Sequence, residues 1–344
     1  MTESQMQEPA TSTALDNGGA PLEPMDPQLK NIQPGGGWVI KMELTWGKLR
    51  RRYLKTFRKR YLEKMQGLRQ GESNGCPHEV LDPRDVKIYR NQEGWHWKKA
   101  DDPFEWRNNL PFVREGLAEL FVLGGGSFFL AGFIASLFAS QDFGIAWQIA
   151  GWLISGVFSA VGFLIVWFFR NPKRKIPKDT QLVVSPADGK IVTLEEIEHD
   201  EFIEGPAMLI GIFLSIVNVH INRMPISARV IGLSYKQGKC LNALRPESAR
   251  ENEQLAVRIQ GDQIPHRRMT IRQITGAIAR RIVNWQKPGN RLQKGEIFGM
   301  IKLGSRTELI VPRDDSLELK VQLGDKVKAG SSVVASYISP ESSP

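Results

Sequence analysis

The stretch GMIKLGSRTELIVP, Gly299 to Pro312, partly alternates apolar and polar side chains on both sides of a Gly-Ser pair. Such alternation reads as strand, yet Gly304-Ser305 interrupts it. A simple turn is one explanation. The other is chemical: a hydroxyl placed directly after a glycine carbonyl is positioned for the backbone to react with itself.

Outward from this stretch the texture stays β. Short β-branched runs recur from residue 178 to 340: QLVVSPADGKIVTLEEI, AMLIGIFLSIV, ISARVIGLSY, LAVRI and SLELKVQLGDKVKAGSSVVASYI. Gly, Pro and Asp punctuate them, which predicts one compact, mainly β domain. TIRQITGAIARRIV fits a strand followed either by more strand or by a helix. SPADGKIV and VQLGDKVKAGSSVVA resemble the opening and closing hairpins of lipoyl- and biotinyl-type domains, so barrel-like hairpins are expected. No lysine presented on a tight turn between them is visible, which counts against a carrier module.

Upstream lie two charge-free runs, Leu120 to Ala139 and Phe143 to Phe169, separated by Ser140-Gln141-Asp142. Each is long enough to cross a bilayer core, which takes about 20 apolar residues. A two-helix transmembrane hairpin over 116–169 is predicted, with Gly124, Gly125 and Gly126 permitting either close helix contact or a kink. RNPKRKIPK follows the second run and a basic segment precedes the first, so both ends are expected in the cytoplasm. The first residues carry no basic and apolar secretory pattern, and the bulk of the chain is expected to be cytosolic.

Residues 1–36, rich in Pro, Gly, Ser, Thr and Gln, are expected to be a disordered tail. Residues 37–115 form a basic, aromatic region. Within it KLRRRYLKTFRKRYLEKM spaces Leu, Tyr and Phe by three and four, as an amphipathic helix does, and GWHWKKADDPFEW packs three Trp into a polar stretch. The net charge of +9 calls for an anionic partner. Beside a hairpin, anionic lipid headgroups account for it without nucleic acid. The two cysteines, Cys76 and Cys240, are far apart and show no metal spacing.

Three residues of the β domain carry reactive groups in suggestive settings. Asp188 lies in a Pro-Ala-Asp-Gly turn, His220 follows an apolar strand, and Ser305 follows Gly304. Asp, His and Ser in this order suit a serine hydrolase, although no Gly-x-Ser-x-Gly elbow surrounds Ser305.

FFRNPKRKIP, SPADGKI, NVHINRMP, GKCLNALRPESARENEQ, RQITGAIARRIV and FGMIKLGSRTELIVP together resemble the phosphatidylserine decarboxylase proenzymes, a pyruvoyl-dependent family, over roughly 168–336. The resemblance implies a catalytic domain over 170–340, self-cleaved between Gly304 and Ser305. Ser305 Oγ would attack the Gly304 carbonyl, and elimination would leave a pyruvoyl cofactor at position 305, the two chains staying associated. That group would take the amine of membrane phosphatidylserine as a Schiff base, losing CO2 to give phosphatidylethanolamine. Asp188 and His220 would be base and orienter for Ser305, with His220 also returning a proton to the substrate carbon. Some family members carry a second His where this chain has Arg223. Arg223 and Arg306 are candidates for holding the substrate phosphate or carboxylate, or are structural ion pairs. The expected place is the inner cell membrane, with the catalytic domain on its cytoplasmic side. The competing readings are a membrane-bound lipid serine hydrolase and a non-enzymatic lipoyl-like barrel module.

Overall fold

In the computed structural model the described residues are 19–141, 143–243, 245, 247–277, 281–302 and 304–337. Two helices come first, α1 (Trp38–Phe57) and α2 (Lys59–Leu68). A short turn α3 (Leu117–Glu119) leads through a π-helical stretch, Leu120–Gly125, into α4 (Gly126–Ser140), and α5 (Ile145–Phe168) returns.

The β domain then runs through β1 (Leu182–Val184), β2 (Gly189–Asp200), β3 (Gly205–Leu214), β4 (Ile221–Arg223), β5 (Ala228–Lys236), β6 (Gln254–Gly261) and β7 (Arg268–Ile274). It continues with β8 (Arg281–Asn284), β9 (Arg291–Leu292), β10 (Ile297–Lys302), β11 (Ser305–Pro312), β12 (Leu317–Leu319), β13 (Lys326–Val327) and β14 (Val333–Tyr337). Eight strands form one antiparallel sheet in the order β13-β2-β3-β11-β7-β6-β5-β9. Two three-stranded sheets accompany it, β1-β14-β12 and β4-β10-β8.

The mainly β reading therefore holds. No sheet closes on itself among the described residues, so the expected barrel-like closure does not appear. The lipoyl-like segments nevertheless pair with each other: Val184 faces Val333, and Gly189 faces Val327. The ambiguous stretch after β7 continues as strand β8, with no helix among its described residues.

The central strands are buried on both faces, and their sequences are accordingly near-continuous apolar runs. Ile210, Ile212, Leu214, Val257, Ile271, Leu309 and Val311 are all fully buried in one cluster. β2 instead alternates and ends in Glu, His and Asp, because its far half reaches solvent.

A second cluster joins the helical part to this domain. Phe168 and Phe169 at the end of α5 pack with Val113, Val219, Ile221, Val283 and Met300. Within the hairpin, Ser155 Oγ donates to the Ala131 carbonyl at 2.9 Å, and Gly151 and Gly162 lie directly beneath the Phe138 and Phe128 rings. A Cβ at Gly124 would touch Ile165, whereas at Gly125 or Gly126 it would meet open space. The glycine triplet thus combines one close helix contact with a π-helical irregularity. The outer faces of α4 and α5 are bare: Phe129, Phe133, Ile145, Trp147, Leu153 and Phe163 are strongly exposed. Both segments are long and apolar enough to cross a membrane.

The predicted disordered tail divides. Residues 1–18 lie outside the described residues. Residues 19–36 lie against the β domain, because they carry anchors that composition alone conceals. The Glu23 N–H donates to the Ile231 carbonyl, the Tyr235 N–H donates to Asp26, and Leu29 enters the main core.

Candidate active site

Gly304-Ser305 interrupts the strand because the chain changes sheets there. β10 ends at Lys302 in a three-stranded sheet, and β11 begins at Ser305 in the centre of the eight-stranded one. Gly304 makes the turn with φ +63°, a conformation that costs glycine little and other residues more. Ser305 is fully buried, and its hydroxyl has no hydrogen-bond partner among the described residues. A buried hydroxyl left unpaired is costly, which marks a strained or chemically active site.

His220 reaches this junction from the residue directly before β4. Ile301 N–H donates to the His220 carbonyl at 3.0 Å, fixing its backbone beside β10. Its Nδ1 lies 3.0 Å from the Asn218 carbonyl, and its Nε2 accepts the Gly304 N–H at 3.3 Å. These partners require the tautomer with hydrogen on Nδ1 and the lone pair on Nε2. Burial pushes the imidazole down to about 4, aided by the nearby Arg170 charge and opposed by the Asn218 hydrogen bond. His220 is therefore neutral at pH 7, as a general base must be.

The other face of the junction is Gly276. A Cβ there would fall 1.7 Å from the Gly304 carbonyl oxygen, so only a bare Cα admits this peptide. The adjacent Thr275 is held by two residues of the SARENEQ segment: its N–H donates to the Glu253 carbonyl, and its carbonyl accepts from Asn252 Nδ2 at 2.7 Å. Sequence reading passed over Gly276, since its signal is a contact between residues distant in the chain.

Asp188 is placed near the junction but not on it. Arg174 Nη2 donates to both its carboxylate oxygens, at 2.9 and 2.7 Å, and the Ala329 N–H donates at 2.8 Å. No hydrogen bond joins Asp188 to His220 or Ser305 among the described residues. Its turn does touch their strands: the Pro186 carbonyl accepts the Arg223 N–H, and Asn222 bridges to Thr307 Oγ1 at 3.1 Å. Asn222 closes a buried amide chain with Gln273 and Asn284, the links being 2.9 and 3.0 Å.

The two candidate anion-binding arginines are occupied internally. Arg223 donates to the Gly295 carbonyl and to Asn171 and Pro172 in the linker after α5. Arg306, buried, donates to Glu308 and Thr193.

Beside Gly304 opens a cavity of about 430 Å3, lined by Phe213, Ser215, Val217, Asn242, Ala243 and Ala277 among others. Val217 is its exposed lip. Trp167 Nε1 and Arg170 Nη2, at the end of α5, both donate to the Val217 carbonyl at 3.0 Å. The cavity thus opens where the hairpin leaves the domain.

The chain is similar to known proteins over its β domain and beyond. Residues 161–335 match the phosphatidylserine decarboxylase family. A phosphatidylserine decarboxylase proenzyme from Rhodopirellula baltica is 51% identical over 252 residues, covering 73% of this chain and 99% of the relative. Proenzymes of the same description from Carboxydothermus hydrogenoformans and Geotalea daltonii are 42% and 38% identical. The first alignment covers 49% of this chain and 78% of the relative, the second 66% and 97%. The chain belongs to the phosphatidylserine decarboxylase family.

Two outcomes follow from the geometry. Gly276→Ala is expected to displace the Gly304 peptide and to lower the midpoint of chemical denaturation. An unchanged midpoint in that variant would show that the close contact is dispensable. The second concerns pH. His220 binds a proton in the unfolded chain near its ordinary 6.5 but in the folded chain only near 4. Between these values the unfolded state holds more protons, so unfolding free energy falls as pH is lowered through the window. His220→Gln should flatten that part of the stability curve; an unchanged slope in chemical denaturation would contradict the burial assigned to the ring.

Proposed function

We propose that this chain is the self-processing precursor of a decarboxylase that converts phosphatidylserine to phosphatidylethanolamine and CO2. The observation that carries this reading is the Gly304-Ser305 junction: a buried, unpartnered hydroxyl, a left-handed glycine before it, and a neutral imidazole bonded across the same glycine. Cleavage requires the imidazole to exchange the Gly304 N–H for the Ser305 hydroxyl. His220 Nε2 then takes the hydroxyl proton as Oγ bonds to the Gly304 carbonyl carbon. The Gly304–Ser305 C–N bond breaks, and the Ser305 nitrogen takes up the proton, leaving an ester. Loss of the Ser305 Cα proton with rupture of Cβ–Oγ releases a carboxylate at Gly304 and leaves dehydroalanine. Uptake of water and loss of ammonia give a ketone at position 305.

That pyruvoyl ketone supplies the electron sink that decarboxylation of an amino acid requires. The residues present fit it: position 305 is buried, and the cavity beside Gly304 provides room for a headgroup. In this reading His220 returns the proton to the substrate carbon. Asp188 serves as an orienting carboxylate at one remove, through Arg174 and the turn bonded to Arg223. Arg223 and Arg306 support the site through the fold.

A serine hydrolase is the weaker alternative. Such an enzyme needs the hydroxyl bonded to the imidazole and a carboxylate on the ring's other nitrogen. Here that nitrogen meets the Asn218 carbonyl.

The hairpin is taken to cross the cell membrane with the β domain on the cytoplasmic side, given the basic flanks. α1 is taken to lie on its anionic surface. Trp38, Trp46, Leu49, Tyr53 and Phe57 form an exposed apolar stripe edged by Lys and Arg. Trp38 and Val39 also share a cavity with Leu123 and Leu164 of the hairpin, so α1 starts beside the base of the hairpin.

Purified protein is expected as two chains, ending at Gly304 and starting at position 305, the second blocked to Edman degradation. Ser305→Ala should remain one chain and release no CO2 from phosphatidylserine. An uncut wild type that decarboxylates would refute the mechanism, and an uncut one that cleaves ester lipids would favour the hydrolase. A peptide spanning 38–57 should bind anionic vesicles and lose that binding as salt is raised. Equal binding to neutral vesicles would remove the electrostatic contribution.

A further inference from the structure

The base of the hairpin is built into the reactive junction at two points. At the end of α5, the Phe168 ring lies 4.5 Å from the His220 ring, centroid to centroid, at an interplanar angle of 38°. Phe168 is itself 4% exposed and His220 fully enclosed. On either side of Phe168, Trp167 and Arg170 grip the Val217 carbonyl, one residue before the Asn218 carbonyl that fixes the His220 tautomer. At the start of the hairpin, Glu119 forms a buried ion pair with Lys302, two residues before Gly304. The two ends are themselves tied together: Val113 N–H donates to the Phe169 carbonyl at 3.1 Å, and Asn171 N–H donates to the Pro111 carbonyl at 2.7 Å.

We infer that the base of the hairpin is a positioning element for self-cleavage: Phe168 seats the His220 imidazole against Gly304, and Glu119 holds the end of β10 through Lys302. The inference rests on the self-processing reading above and extends it to residues outside the reacting groups. A hydrophobic hairpin is more than an anchor here, because its last turn forms one wall of the base. Maturation is thereby coupled to correct assembly of the hairpin. A chain whose helices have not paired lacks the wall and one end of the ion pair, and its His220 sits in a wetter, looser pocket.

The physical grounds are separable. Removing the Phe168 ring opens a cavity against the imidazole, which loses both its fixed position and its dry surroundings. A misplacement near 1 Å at a reacting group costs up to about 100-fold in rate. Readmitted water also raises the imidazole from about 4 toward its ordinary 6.5. The charged group that bears on the ring is Arg170. The Asn218 loop and Gly304 present backbone atoms to the ring nitrogens.

The test follows chain cleavage in full-length protein made in membranes or nanodiscs, on denaturing gels across pH 4.5–8. Phe168→Ala is expected to cleave about 10- to 100-fold more slowly than wild type. Its acid limb should move upward, so that the deficit is larger at pH 5.5 than at pH 8. Phe168→Tyr, which keeps the ring, should recover most of the rate and the wild-type limb. Glu119→Gln should slow cleavage without moving the limb, since it acts on β10 and not on the imidazole. Equal slowing by Phe168→Ala at every pH would reduce Phe168 to general packing and overturn its assigned role. Wild-type rates in both Phe168→Ala and Glu119→Gln would overturn the inference altogether. Should Phe168→Ala fail to fold, Phe168→Leu supplies the same comparison with a smaller void. Wild type that never cleaves would instead refute the self-processing reading itself.

Discussion

The structure turns on one peptide that must leave one sheet and enter another. β10 pairs with β4 and β8, and β11 lies between β3 and β7, so no regular strand can continue from one into the other. The change is made at Gly304, in left-handed conformation, with its carbonyl pressed on the bare Cα of Gly276. Everything that touches this peptide comes from a different part of the chain. His220 immediately precedes β4, Thr275 and Gly276 follow β7, and Asn252 and Glu253 fix that loop. The hairpin supplies the wall behind His220. The junction joins the eight-stranded sheet at β11, which is paired on both sides and so fixes the Ser305 end of the peptide.

The electrostatics follow from the same crowding. A neutral imidazole is obtained by enclosure, which outweighs the opposing hydrogen bond from Nδ1 to the Asn218 carbonyl. The carboxylate that the motif supplies, Asp188, is instead matched by Arg174 from the linker after the hairpin. Polar groups behind the junction are satisfied by neutral amides: Asn284, Gln273 and Asn222 hand a chain of hydrogen bonds to Thr307. Beside this chain of amides the Ser305 hydroxyl is left without a hydrogen-bond partner among the described residues.

Much of this was legible in the sequence where the signal is local. Short β-branched runs between Gly, Pro and Asp marked the strands, charge-free length marked the hairpin, and Gly304-Ser305 stood out as a broken strand. The resemblance of six motifs supplied the family, and with it the order Asp188, His220, Ser305. What stayed hidden is set by contacts across long separations. Nothing near Gly276 announces that Gly304 needs its missing side chain, and nothing near Phe168 announces a histidine. Arg223 and Arg306 could be read as anion-binding or as structural, because their partners, Asn171, Gly295, Glu308 and Thr193, are settled only by folding. Residues 19–36 looked too polar to order, yet Leu29 and two acidic side chains suffice once the sheet edge is present to receive them.

The position of β11 has one more consequence. It is hydrogen-bonded along its whole length to β3 and over most of it to β7, and β14 and β13 beyond it pair with β1 and β2. A cut before Ser305 would therefore free a chain end without freeing the strand. The molecule would pass from a unimolecular folder to a two-piece assembly that can come apart only by unravelling the middle of its largest sheet. Reassembly after denaturation would then depend on concentration, whereas the first folding did not. The uncut chain assembles once as a single piece, and the shape it leaves behind persists by the slowness of its undoing.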